Sequence, residues 1–222
     1  MKKSLFIGGV ILVKLACPAG AVIALDDNWT VNTLIPEGNP VGITAYETFE
    51  NLPASPIADV SVNLNLSGGY DGDLVGYLTL QDANGNTATE ILLSEMGTTP
   101  ANPFGSPGAG MNVTLSDSGT ANGNIHGATG IPTGIWQPDS PNTLDGTFGG
   151  LTANGTWTLF LADLAVGGGT STLNSWGLDV SVAAVPEPAQ LGLVLGMGTL
   201  LVSVGQALLR GRRKQSPAAG AV

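Results

Sequence analysis

Between Val60 and Ser67 apolar and polar residues alternate without a break: Val60, Val62, Leu64 and Leu66 on one side, Ser61, Asn63, Asn65 and Ser67 on the other. A period of two predicts a β-strand with one face against a core. Trp176, Leu178, Val180 and Val182 alternate in the same way with Gly177, Asp179, Ser181 and Ala183. In the run from Trp157 to Ala162 the intervening residues Thr158, Phe160 and Ala162 include apolar ones, which predicts a strand buried on both faces. Weaker runs predict strands over Trp29–Ile35, Ile43–Phe49, Leu74–Leu80, Glu90–Leu93 and Asn112–Ser116. Turn-forming clusters separate them, notably Gly68-Gly69-Tyr70-Asp71-Gly72 and Asp82-Ala83-Asn84-Gly85-Asn86. No stretch carries the 3.6-residue period of a soluble helix. About eight strands over Asn28–Ala183 predict one all-β, antiparallel β-sandwich or jelly roll, with Trp157 and Trp176 in its core. Two long polar stretches, Met96–Met111 and Asp117–Thr147, are read as loops, and a binding surface is expected there.

The ends of the chain have a different character. Met1–Ala24 places Lys2 and Lys3 before an apolar Leu5–Val13 core and a small-residue exit, the order of a secretory signal. The cut is open between Ala19, Ala21 and Ala24. The nine apolar residues before Lys14 are too few to span a membrane, which needs roughly twenty. Near the other end, Pro186-Glu187-Pro188 precedes an apolar run, Leu191 to Leu209, closed by Arg210, Arg212, Arg213 and Lys214. A helix of that length, rising about 1.5 Å per residue, just crosses a hydrocarbon core of roughly 30 Å. The basic cluster then stays cytoplasmic and everything before Pro186 lies outside. The expected division is 1–24 signal, 25–184 sandwich, 185–214 sorting signal with transmembrane helix, and 215–222 tail.

Charge sharpens this picture. All seventeen Asp and Glu residues fall between Asp26 and Glu187, while no Lys or Arg lies between Leu15 and Leu209. That interval therefore carries −17, against −10 for the whole chain. Nucleic acid is excluded as a partner of the domain, because phosphate neutralisation needs basic residues. The single cysteine, Cys17, lies in the leader, so the mature domain has neither disulfide nor thiolate site. His126 is the only histidine and no Gly-x-Ser-x-Gly elbow accompanies it, so no Ser-His-Asp triad is predicted and the chain is read as non-catalytic. The acids have two readings. Asp71, Asp73, Asp82 and Asp163 are candidate calcium ligands, since calcium takes six to eight oxygens from Asp, Asn and carbonyl groups on loops. They equally suit Asx turns that cap their own backbone.

The C-terminal order of Pro-Glu-Pro, apolar span and arginine cluster resembles the PEP-CTERM sorting signal of exopolysaccharide-producing Gram-negative bacteria. The resemblance implies a membrane-embedded cysteine transpeptidase, exosortase, that reads Pro186, Glu187 and Pro188 and removes the anchor. A second resemblance covers Leu34 to Val182. Tyr70-Asp71-Gly72-Asp73-Leu74, Gly155–Asp163 and Leu173-Asn174-Ser175-Trp176-Gly177-Leu178 follow one another as in the proprotein-convertase P-domain (P/Homo B). It implies a jelly roll of the kind attached to subtilisin-like proteases. The expectation is a secreted cell-envelope or extracellular-matrix protein, transiently membrane-anchored, with a structural or binding domain. The alternatives are an accessory to a secreted protease and a module that binds the exopolysaccharide. For the latter Tyr46, Tyr70, Tyr77 and Trp136 are the candidate contacts.

Overall fold

The computed structural model describes residues 20–184. Residues 1–19 of the expected leader, the Pro-Glu-Pro motif, the apolar run and the basic cluster lie outside them. Among the described residues no helix is long and apolar enough to cross a membrane.

The alternating runs form nine strands: β1 Ala21–Ile35, β2 Asn39–Phe49, β3 Ile57–Gly68, β4 Leu74–Asp82, β5 Thr87–Ser94, β6 Gly110–Ser116, β7 Thr133–Trp136, β8 Gly155–Asp163 and β9 Ser171–Ala183. They make two sheets, β1-β9-β3-β6-β7 and β2-β8-β4-β5. Every pairing is antiparallel except β6 with β7. The first strand pairs with the last, and β2 pairs with β8. A long antiparallel ribbon folded over on itself produces this nesting.

The inward halves of the alternating strands meet between the sheets. Val60, Val62, Leu64 and Leu66 are buried, as are Leu178, Val180 and Val182 opposite them. Trp157 and Trp176 are both fully buried, as expected. Trp157 donates its indole N–H to Ala153 O at 3.0 Å, and its ring lies 5.2 Å from that of Phe148. The indole of Trp176 lies 4.9 Å from that of Trp29, its cross-strand neighbour.

Four expectations need correction. The sandwich has nine strands rather than eight. The extra one, β7, has four residues, too few to register a period. A short helix, α1 (Leu144–Phe148), stands where only loop is expected; Thr143 caps it, and it sends Leu144 and Phe148 into the core. Strand β8 is not buried on both faces along its length: on the outer side Thr156, Thr158 and Phe160 are half-buried and only Ala162 is covered. Finally, the two long segments are not free loops. Met96, Met111, Ile125, Ala128 and Leu144 are core residues, and hydrogen bonds such as Ser106 N–H to Met96 O (2.7 Å) tie the backbone down.

Pairing begins at Ala21, opposite Ala183, and Ala184 N–H donates to Gly20 O at 3.1 Å. Both described ends therefore sit side by side on one rim. A leader cut at Ala19 leaves β1 whole, whereas a cut at Ala24 removes its first four residues.

Candidate functional site

The four candidate metal ligands do not form one site. Asp82 ends β4 on the rim that carries the chain ends, while Asp71 and Asp73 precede β4 at its other end. Strand geometry puts roughly 26 Å between the two positions. Among the described residues no three His, Cys, Asp or Glu side chains come together as a metal-binding group.

Asp82 folds the β4–β5 hairpin. Its Oδ1 accepts from the N–H groups of Asn84 (2.9 Å) and Asn86 (2.8 Å), and its Oδ2 accepts from the Asn86 amide at 3.0 Å. Burial pushes its pKa up, but these donors outweigh burial and hold it below the usual carboxylate range. This is the Asx-turn role.

Asp71 is fully buried. Its Oδ1 accepts from Gly110 N–H at 2.9 Å, while its Oδ2 has no hydrogen-bond partner. A Cβ on Gly108 would collide with both Asp71 Oδ2 and the carbonyl oxygen of Gly130. Two acceptors therefore crowd one glycine. Burial, only partly offset by the Gly110 bond, pushes the Asp71 carboxyl up to about 7. A proton on Oδ2 would make it a donor in a place that lacks one.

Asp73 and Asp163 do come together. Asp163, buried at the end of β8, lies opposite Leu74, and Leu164 N–H donates to Asp73 O at 2.8 Å. One carboxylate oxygen of Asp163 accepts from Ala165 N–H at 3.2 Å; the other, Oδ2, is buried without a partner. Glu37, in the β1–β2 turn, accepts from Gly167 N–H (2.6 Å) and Gly169 N–H (3.1 Å) of the loop that follows β8. Gly168 leaves room for Asp73, since a Cβ there would strike Asp73 Oδ2 and Tyr70. Burial raises the pKa of Asp73, and the charges of Asp163, Glu95 and Glu37 add to it. Burial likewise raises Asp163. With no Lys or Arg in the domain, nothing of opposite charge relieves this cluster.

His126 has both ring nitrogens engaged: Nδ1 lies 2.8 Å from Asp139 Oδ2, and Nε2 lies 3.1 Å from Thr98 O. Two acceptors favour the doubly protonated ring, in which both nitrogens donate. The Asp139 hydrogen bond raises its pKa against the opposing effect of burial. The pair clamps the 96–106 segment to the 124–139 segment. Buried Glu90 is likewise held by the hydroxyls of Ser140 and Thr147, a second tie between the edge strand β5 and the long segment.

Of the four aromatic candidates, Tyr46 on β2 is 68% exposed and Tyr70 is 37% exposed. Trp136 lies on β7, not in a loop, and donates its indole N–H to Thr133 O at 2.9 Å. Tyr77 on β4 stacks beside Phe160 on β8 with ring centroids 5.9 Å apart. Tyr46, Tyr77 and Phe160 share the outer face of the four-stranded sheet, a grouping that a loop-centred reading missed. The signal for it was present: every outward position in the middle of those strands is uncharged.

No family model matches the chain, and no curated protein does. Among solved structures, the chain is similar to a protein in the complex of an Aeromonas sobria serine protease with its chaperone. The identity is 18% and the TM-score 0.44, over 75% of this chain and 28% of that one. It is similar at 17% identity and a TM-score of 0.43 to the serine protease of Aeromonas sobria, over 73% of this chain and 27% of that one. The chain thus spans under a third of either protein's length.

Proposed function

We propose that the chain is an exported, non-catalytic protein of the cell envelope or extracellular matrix. It is delivered by its leader and sorted through Pro186-Glu187-Pro188 by an exosortase-type transpeptidase. The observation that carries this reading is the confinement of every Lys and Arg to the two ends, around an acidic domain and behind an apolar run of membrane-spanning length. The nested strand order supports a jelly-roll reading of that domain. Pro186 and Pro188 carry no backbone N–H and flank a single charge, Glu187, which is what a processing enzyme would read. Intact-mass measurement on protein from the native host tests it. The wild-type mass is expected to lack Leu191–Val222, and Glu187→Ala is expected to retain that segment. A wild-type species that still carries the tail defeats the sorting reading.

Calcium belongs to the same proposal, with Asp73 and Asp163 as the proposed ligands. Asp163 Oδ2 supports it, being buried with no donor beside a second carboxylate. Carbonyl oxygens of the 164–169 loop and water would complete the shell. An ion held at a hundred times its Kd adds about 2.7 kcal/mol, and for a domain of this size that raises Tm by roughly 5–10 °C. Melting in calcium and in chelator is expected to differ by that amount in the wild type and in Asp82→Asn, and not in Asp163→Asn. Identical wild-type curves overturn it.

A second reading, that the domain binds polysaccharide, is favoured by a specific observation: the uncharged aromatic and hydroxyl face around Tyr46, Tyr77 and Phe160.

A further inference from the structure

The outer face of the β2-β8-β4-β5 sheet is ordered beyond what strand alternation requires. The residues pointing away from Trp157, Leu159 and Leu161 fall into three cross-strand rows, from Thr44 to Ile91, from Tyr46 to Thr89 and from Thr48 to Thr87. Each row has one residue from each strand, so the grid has twelve positions, and seven of them are threonine. None is charged, although the interval that contains it carries −17. The other sheet differs. On its outer face Asp26 and Asp179 stand directly opposite each other, and burial together with the charges of Asp26 and Asp59 raises the Asp179 pKa.

We infer that this grid is a binding surface for a neutral, hydroxyl-rich polysaccharide. The inference rests on the polysaccharide-binding reading above and assigns its site and ligand class. Neutral sugars present polar hydroxyls at their rims and C–H faces that lie against aromatic rings. The grid offers both complements. Tyr46 stands free, and Tyr77 and Phe160 form a neighbouring pair. Threonine hydroxyls are already oriented by cross-strand bonds, Thr48 to Thr156 at 3.0 Å and Thr79 to Thr89 at 2.9 Å. A hydroxyl both donates and accepts, so each pair keeps capacity for a ligand.

Charge and area both select this occupant. A polyanion approaching the domain meets a field of one sign, and a basic partner finds its complement on the Asp26–Asp179 face instead. Four strands about 4.8 Å apart and six residues about 3.3 Å each cover roughly 400 Å². A stable protein–protein interface needs about 800 Å² on each partner. An extended sugar chain fits the smaller footprint.

The test is affinity electrophoresis of the full chain through gels containing a neutral β-glucan or, separately, the anionic polymer alginate. The wild type is expected to be retarded by the neutral gel alone. Tyr46→Ala and Thr79→Lys, both on the outer face, are expected to weaken retardation by roughly tenfold in Kd, the equivalent of about 1.4 kcal/mol. Phe104→Ala, an exposed aromatic outside the sheet face, is expected to leave it unchanged, and near-wild-type melting of each variant keeps the comparison fair. Retardation that survives both face substitutions overturns the site while sparing the polysaccharide reading. Retardation by alginate alone overturns the neutral class. A concentration-dependent dimer dispersed by Thr79→Lys assigns the face to a second copy and overturns the inference. No retardation in any gel overturns the inference together with the reading beneath it.

Discussion

Trp157→Ala is expected to lower the melting temperature by roughly 10 °C. Truncating a large buried aromatic costs about 3–5 kcal/mol, and a domain of this size loses about 2–4 °C for each kcal/mol. Three features put Trp157 at the upper end of that range. It is fully buried, it stacks against Phe148, and its indole N–H is the donor to Ala153 O. Alanine leaves a cavity, loosens α1 through Phe148, and strands a buried carbonyl. Trp176→Ala is expected to cost less, because Trp29, half-exposed and 4.9 Å away, has room to settle into the space. Calorimetry or circular dichroism melts of both variants check the order. A Trp157→Ala shift below about 3 °C, under 2 kcal/mol on the same scale, contradicts its place at the centre of the core.

Asp71 predicts that the domain loses stability as pH rises, the reverse of the usual carboxylate behaviour. Its folded pKa, pushed up to about 7, stands above its ordinary value of 3.8. The folded state therefore binds the proton more tightly, and its contribution is fully present below pH 4. It is lost as pH rises from about 4 to 7, at no more than about 1.4 kcal/mol for each pH unit. Asp71→Asn keeps the shape, supplies a permanent N–H₂ toward the Gly130 carbonyl, and cannot ionise. The variant is expected to match the wild type at pH 4 and to melt several degrees higher at pH 8. Burial raises Asp145 and Asp179 as well, so the wild-type slope has several contributors, and the difference between the two proteins isolates Asp71. Parallel curves for the two proteins would show that the Asp71 carboxyl titrates alike in the folded and unfolded chain.

How much of this could be read in advance depended on the range of the interaction concerned. Strands β3, β8 and β9 were legible because alternation is a local consequence of the pleat, and burying one face of each strand requires it. The turn role of Asp82 was one of two local readings, and its partners Asn84 and Asn86 lie within four residues. Strand β7 and helix α1 were not legible. Each spans no more than five residues, too short for any period, and each exists because a neighbour holds it: β6 pairs with β7, and Asp117 accepts from Leu144 N–H and Asp145 N–H at the start of α1.

The distribution of charge, the alternation and the targeting pattern at the two ends belong to the sequence alone, since they are properties of order and composition. Which acids meet is a matter of tertiary structure. Asp73 and Asp163 are ninety positions apart along the chain and become neighbours only when β4 pairs with β8, while Asp71, two residues from Asp73, is sealed off against Gly108 and Gly130. The same holds for the outer grid. Each strand shows only that its outward residues are uncharged. Register between four strands sets Tyr46, Thr158, Thr79 and Thr89 in one row, and register is decided by which side chains the core accepts, since a slip of one residue would turn every inward leucine to solvent.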